Sequence, residues 1–142
     1  MSRLVLVAAF LFSVPHDISG HPPMKVKVLF CEMVAHPENY DAKVVSNEAL
    51  ALPGYHSLAF YDPTCQPTEE NNVTTQMVLP DSFSFTKLGN KLSKALRRER
   101  TAKVRVVGKF YGTGGPYGPD HAKFRFAVER IDSVAELPKS VR

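Results

Sequence analysis

The sequence predicts a mainly β fold of the α+β class, a small barrel with a short N-terminal helix and one amphipathic helix inserted between strands. Three observations predict it. Apolar residues alternate with period two near the C-terminus, at Val104 and Val106 and again at Phe124, Phe126 and Val128. A helical period appears between them and the N-terminal half, at Phe85, Leu88, Leu92, Ala95 and Leu96. Turn-forming pairs and clusters, Pro53-Gly54, Asp62-Pro63 and the run from Gly112 to Asp120, separate the rest into short segments.

The chain has 142 residues and a formal net charge of +4. It begins with Arg3 and an uncharged apolar block, Leu4 to Val14, which falls well short of the roughly 18 residues a membrane span needs. This pattern reads as a signal peptide over residues 1–20, cleaved after Gly20, and predicts an exported protein, periplasmic or extracellular. The remainder, residues 21–142, is one domain with its core over about 26–134, burying roughly two thirds of the surface its unfolded chain exposes. A monomer without cofactor is expected. The competing reading starts translation at Met24 and keeps the protein in the cytosol.

Taken in order, Val26, Leu29, Phe30 and Met33 fall at spacings of three and four, predicting a short helix from Val26 to His36 that Pro37 ends. The turn-rich stretch from His36 to Lys43 leads into a strand opening at Val44-Val45, with Tyr40 at the edge of the core. A second extended run, Tyr55 to Tyr61, pairs with the first strand as a hairpin across Pro53-Gly54. Gln66 to Asn72 reads as a surface loop and Met77-Val78-Leu79 as a further short strand. Asn72-Val73-Thr74 fits a glycosylation sequon, a short pattern that carries little weight alone.

The amphipathic helix follows, with Lys87, Lys91, Lys94 and Arg98 opposite its apolar stripe and Ser84 or Thr86 as its cap. Lys103 to Tyr111 is a strand in which Gly108 marks a bulge or bend. The glycine-rich run from Gly112 to Asp120 turns it back into the strand of Phe124, Phe126 and Val128, making a long hairpin. That run opens onto a strand and fits no phosphate-loop pattern, which argues against nucleotide binding.

Cys31 and Cys65 are the only cysteines, and in an exported chain they predict a disulfide. Closing a loop of about 34 residues, it stabilises by roughly 3 to 4 kcal/mol through restriction of the unfolded chain. With a cytosolic start the pair reads instead as two buried thiols.

This order of elements is that of a small, partly open barrel of the OB kind. The spacing Cys31, Pro37, Tyr40-Asp41, Lys43-Val44, then Tyr61-Asp62-Pro63 and Cys65, then Val104, Val106-Val107-Gly108 and Phe110, then Tyr117-Gly118 and His121, resembles a bacterial family of exported OB-like domains of uncharacterised function. The resemblance spans about Val28 to Val134 and implies a Cys31 to Cys65 bridge. Two departures stand out. Asn47 occupies a position where the pattern has glycine, and Pro119 and Asp120 separate Gly118 from His121.

Three functional readings follow. The first is a non-catalytic binding or structural module of the bacterial cell envelope, taking an envelope protein or small ligand, with Tyr55, Tyr61, Tyr111, Tyr117 and His121 as contact residues. The second is a small hydrolase or metal-assisted enzyme built on His121, Asp120 and His56. No paired metal-ligand spacing and no G-x-S-x-G elbow accompanies those residues. The third is single-stranded nucleic-acid binding through Arg97, Arg98, Arg100, Lys103 and Arg105, which needs the Met24 start. The modest net charge and the predicted export both disfavour it.

Overall fold

A computed structural model describes residues 26–54, 56–65, 74–98 and 101–138. The apolar block Leu4 to Val14, Gly20, Met24, Tyr55, the loop Gln66 to Asn72 with most of the sequon, and Arg100 lie outside the described residues. Five strands form a closed barrel in the order β1-β2-β3-β5-β4, with β4 returning to β1. The strands are β1 (Val44–Pro53), β2 (Leu58–Tyr61), β3 (Thr75–Val78), β4 (Ala102–Tyr111) and β5 (Phe124–Glu136). All neighbours run antiparallel except β3 and β5, whose parallel register from Thr75↔Phe124 to Val78↔Ala127 completes the ring. The barrel is therefore more fully closed than the partly open form expected.

Strand β1 buries Val45, Asn47, Ala49 and Ala51, alternate positions on its inner face. The polar Asn47 does not interrupt it. The strand pairs with β4 from Val44↔Lys109 to Ala51↔Ala102. The Asn47 side chain, 1 % exposed, donates from Nδ2 to the Val28 carbonyl at 3.2 Å. Strands β4 and β5 form the long hairpin, with register shifts at Arg105/Val106 and Val107/Gly108. A side chain at position 108 would place its Cβ 2.3 Å from the Ala127 carbonyl oxygen, so only glycine lets the two backbones approach there.

Helix α1 covers only Phe30–Ala35, shorter than expected, and Pro37 opens a second one-turn helix, α2 (Pro37–Tyr40), rather than simply ending the first. Proline lacks the N–H that the first helical position does not need, so it suits the start of α2 as well as the end of α1. Ahead of α1, residues 26–28 are extended. Val28 N–H donates to the Ser46 carbonyl at 3.0 Å, and Ser46 N–H donates to the Val26 carbonyl at 3.1 Å. Strand β1 thus supplies partners that draw this segment out of the expected helix.

Helix α3 (Lys87–Arg97) lies between β3 and β4 in sequence, with Leu92 and Ala95 buried. Thr86 caps it, accepting the Gly89 N–H at 2.9 Å. Phe85, expected on the apolar stripe, is 89 % exposed. It ends a 3-10 turn, Asp81–Phe85, ahead of the cap, where helical periodicity does not govern side-chain direction. The core is rich in aromatics. Phe60 packs edge-on to Phe30 at 5.2 Å and against Phe126 at the same distance, while Phe110 meets Phe124 at 5.6 Å.

Candidate binding site

The loop from Gly112 to Lys123 decides which barrel face is available, because two carboxylates fasten it at opposite ends. Asp41, just after α2, accepts the Gly112 N–H at 2.7 Å, the Thr113 N–H at 3.0 Å and the Thr113 hydroxyl at 2.8 Å. These bonds, the hydroxyl's first, hold its carboxyl below the usual range. Asp120 accepts the Ser57 hydroxyl at 2.5 Å and the His56 N–H at 3.2 Å, and the Ser57 bond leads the lowering of its pKa. Between the clamps, Gly118, at φ 64°, sits directly over the Gln76 side chain of β3, and just past the second clamp Ala122 packs on Ala59 of β2 and Leu52 of β1. The loop therefore lies across β2 and β3. In barrels of this kind that face is the usual ligand platform, and here the chain's own loop covers part of it.

Several residues singled out in the sequence come together around this loop. Tyr111 and Tyr117 have ring centroids 6.4 Å apart. The Arg125 guanidinium lies 4.8 Å over the Tyr117 ring, and its Nε donates to Gln76 Oε1 at 3.3 Å. Tyr117 also donates its hydroxyl hydrogen to the Thr113 carbonyl. Its ring and hydroxyl thus both brace the loop. Tyr61, at the end of β2, is half-buried, and that burial raises its pKa. Tyr55 is outside the described residues.

His56 and Asp120 do meet: the His56 backbone N–H and the Ser57 hydroxyl both donate to the carboxylate, and the charge of His56 helps to lower the Asp120 pKa. This geometry fastens two loops together, with the Ser57 hydroxyl committed to Asp120. His121 follows at φ 51° in the exposed turn.

Cys31 and Cys65 are paired as a disulfide, their Cα atoms 5.5 Å apart. The Asp62 carboxylate lies near both sulfurs, within 4.8 Å. While the sulfurs are bonded to each other they are not thiolate ligands, so these three residues do not constitute a metal centre in this state.

The disulfide joins helix α1 to the turn after β2, and a groove lies beside it against β1. Lys27, Val28 and Leu29 form one wall, Asp62 and Pro63 the other, and Glu48, Ala49, Leu50 and Lys103 the floor, enclosing about 380 Å³. That volume is within the range of small-ligand sites. Along one edge of β1, Ser46 bonds to residues 26 and 28, and Leu50 pairs with Tyr61. Glu48 lies between them. Strand alternation aims its N–H and C=O the same way as those of Ser46, and no described residue hydrogen-bonds them. The β1–β2 pairing stops at Leu50↔Tyr61, and the chain turns away at Asp62–Cys65, where Pro63 does not continue the ladder and the Cys65 N–H donates to the Asp62 carbonyl at 3.2 Å.

The charges of the groove are unequal in freedom. Glu48 binds Lys103 at 2.9 Å and Arg105 at 2.7 Å, and these contacts, Lys103 first, lower its pKa. Asp62 Oδ1 accepts the Thr64 N–H at 2.9 Å and hydroxyl at 2.6 Å. Lys27 has no ion-pair partner among the described residues. Of these groove residues, the Asp62-Pro63 pair stood out in the sequence as a turn and Lys103 as part of a basic cluster, neither as this site. Pro63 was the available signal, and its meaning emerges only once the strand register is known.

Among the described residues no helix is long and apolar enough to cross a membrane. No protein-family model matches the chain, and no curated protein matches it in sequence.

Proposed function

We propose that the chain is an exported, non-catalytic binding module of the bacterial cell envelope, and that it takes its ligand in the groove between Lys27–Leu29 and Asp62–Pro63. The Glu48 backbone, without a partner among the described residues, in a groove of about 380 Å³ carries this reading. An unmet donor and acceptor at the protein surface form a ready contact for a ligand with matching polar groups. The disulfide supports export, since such bonds persist in oxidising compartments. The loop fastened across β2 and β3 favours the groove over the tyrosine face as the contact surface.

The test is a fragment titration of the disulfide-intact protein followed by amide NMR, using free amino acids, short peptides, monosaccharides and nucleotides. Saturable shifts at Lys27, Leu29, Glu48 and Leu50 support the reading. Shifts centred on Tyr111 and Arg125 would return the binding role to the tyrosine face, and catalytic turnover of any fragment would overturn the non-catalytic assignment.

A further inference from the structure

The groove has three properties that together specify a ligand more closely than its volume does. The first is backbone pairing. Glu48 offers one N–H and one C=O in strand geometry, the complement of a single residue of extended polypeptide. The second is length. The slot is closed at one side by the Ser46 bonds to residues 26 and 28, and at the other by Leu50 pairing with Tyr61. From Ser46 to Leu50 an extended strand covers only about 13 Å. A continuous strand cannot run through that gap, whereas a chain end can enter it. The third is charge. The Glu48 carboxylate is occupied by Lys103 and Arg105, Asp62 keeps its negative charge because its Oδ1 accepts from the neutral Thr64 groups, and Lys27 is the groove's ammonium with no ion-pair partner among the described residues.

Apolar surface is also present where a terminal side chain would rest. Leu29 is 69 % exposed at one groove wall, and Pro63 and Leu50 line the same groove. An aliphatic side chain laid against them removes apolar area from water on both partners.

We propose that the groove captures the C-terminal end of an extended peptide: one residue pairs with the Glu48 backbone, an aliphatic side chain rests on Leu29 and Pro63, and the terminal carboxylate meets Lys27. This rests on the groove being the binding site and adds the ligand's chemical class to it. Recognition is by backbone and chain terminus, so it tolerates sequence variation upstream of the last residues.

The experiment titrates the disulfide-intact protein with acetyl-Ala-Val-Leu bearing a free carboxylate, and with the same peptide amidated at its C-terminus, reading amide shifts by NMR. The expected result is a saturable shift of the Glu48 amide with the free acid. Amidation, or Lys27→Ala in the protein, weakens binding by about tenfold or more, the usual scale of a charge-assisted hydrogen bond. Lys27 is exposed, so its replacement leaves the fold intact, which the unperturbed remainder of the spectrum verifies. Equal binding of acid and amide, or shifts away from Glu48, overturns the proposal. If a monosaccharide or nucleotide shifts Glu48 and Leu29 while the peptide does not, the groove remains a binding site and the peptide assignment alone fails. If nothing shifts them, both fail.

Discussion

Asp120 and Ser57 lie 63 residues apart in sequence, yet the serine hydroxyl donates to the aspartate at 2.5 Å and fixes the β4–β5 loop to the start of β2. Replacing Asp120 by Ala removes the acceptor for both Ser57 and the His56 N–H. The expected outcome is faster amide hydrogen exchange at His56 and through Gly118 to Lys123, with the barrel strands unchanged. Uniform acceleration across β4 and β5 would mean the clamp supports the whole barrel rather than its loop.

Both loop carboxylates give stability a pH dependence of known sign. The folded-state pKa values of Asp41 and Asp120 are depressed by the hydrogen bonds they accept. Between the folded value and the unfolded one the unfolded chain holds more protons, so stability rises with pH in that window. Their contribution is complete above the ordinary carboxylate range, near pH ~4, and is lost as pH falls through the depressed folded values. Melting temperatures measured from pH 6 down to 2 should show the wild type losing its advantage over the Asp41→Asn, Asp120→Asn double variant in the acid range. A constant difference at all pH values would refute the assignment. Both groups are exposed and screened, which keeps the effect modest.

Cys31→Ser with Cys65→Ser should lower unfolding free energy by roughly 3 to 4 kcal/mol, as for a closed loop of this length. Denaturant titration measures it. Intact mass of protein expressed in its host, with alkylation before and after reduction, checks export and the bridge together. Loss of residues 1–20 with a two-dalton deficit is expected, and two alkylatable thiols would contradict it.

Leu92 and Phe85 were both expected on one apolar stripe, but the structure buries the first and leaves the second 89 % exposed. Leu92→Ala should cost about 2 to 5 kcal/mol. Phe85→Asp should change stability by no more than about 0.5 kcal/mol, as for other open surface sites. A large loss at Phe85 would place it on a surface used for packing.

Gly108→Ala drives a Cβ to within 2.3 Å of the Ala127 carbonyl oxygen, and the hairpin must shift to relieve it. A loss of about 1 to 3 kcal/mol is expected by thermal or denaturant unfolding.

The long β4–β5 hairpin, the α3 helix with its Thr86 cap and the bend at Gly108 were legible because local pattern determines them. The extended segment at residues 26–28 was not, since spacings of three and four suit a helix and only the bonds to Ser46 decide otherwise. Phe85 misled for a related reason: apolar periodicity continued one residue past the cap that ends its meaning. The clamps of Asp41 and Asp120 have no local sequence signal at all, as their partners are 72 and 63 residues away. Tyr111 and Tyr117 were found as a pair, whereas the groove at Glu48 was missed because an absent hydrogen bond shows only after strand register is known.

The parallel seam between β3 and β5 has a consequence for how the molecule is made. Strand β3 is complete at Val78, but its second neighbour begins at Phe124. A ribosome delivering the chain from its N-terminus must therefore hold four strands with an unclosed side until β5 has emerged. Phe60 and Met77, buried in the finished barrel, lack their final cover through that interval. The fifth described strand is thus the one that locks the ring, and a truncation that removes it should leave the barrel unclosed.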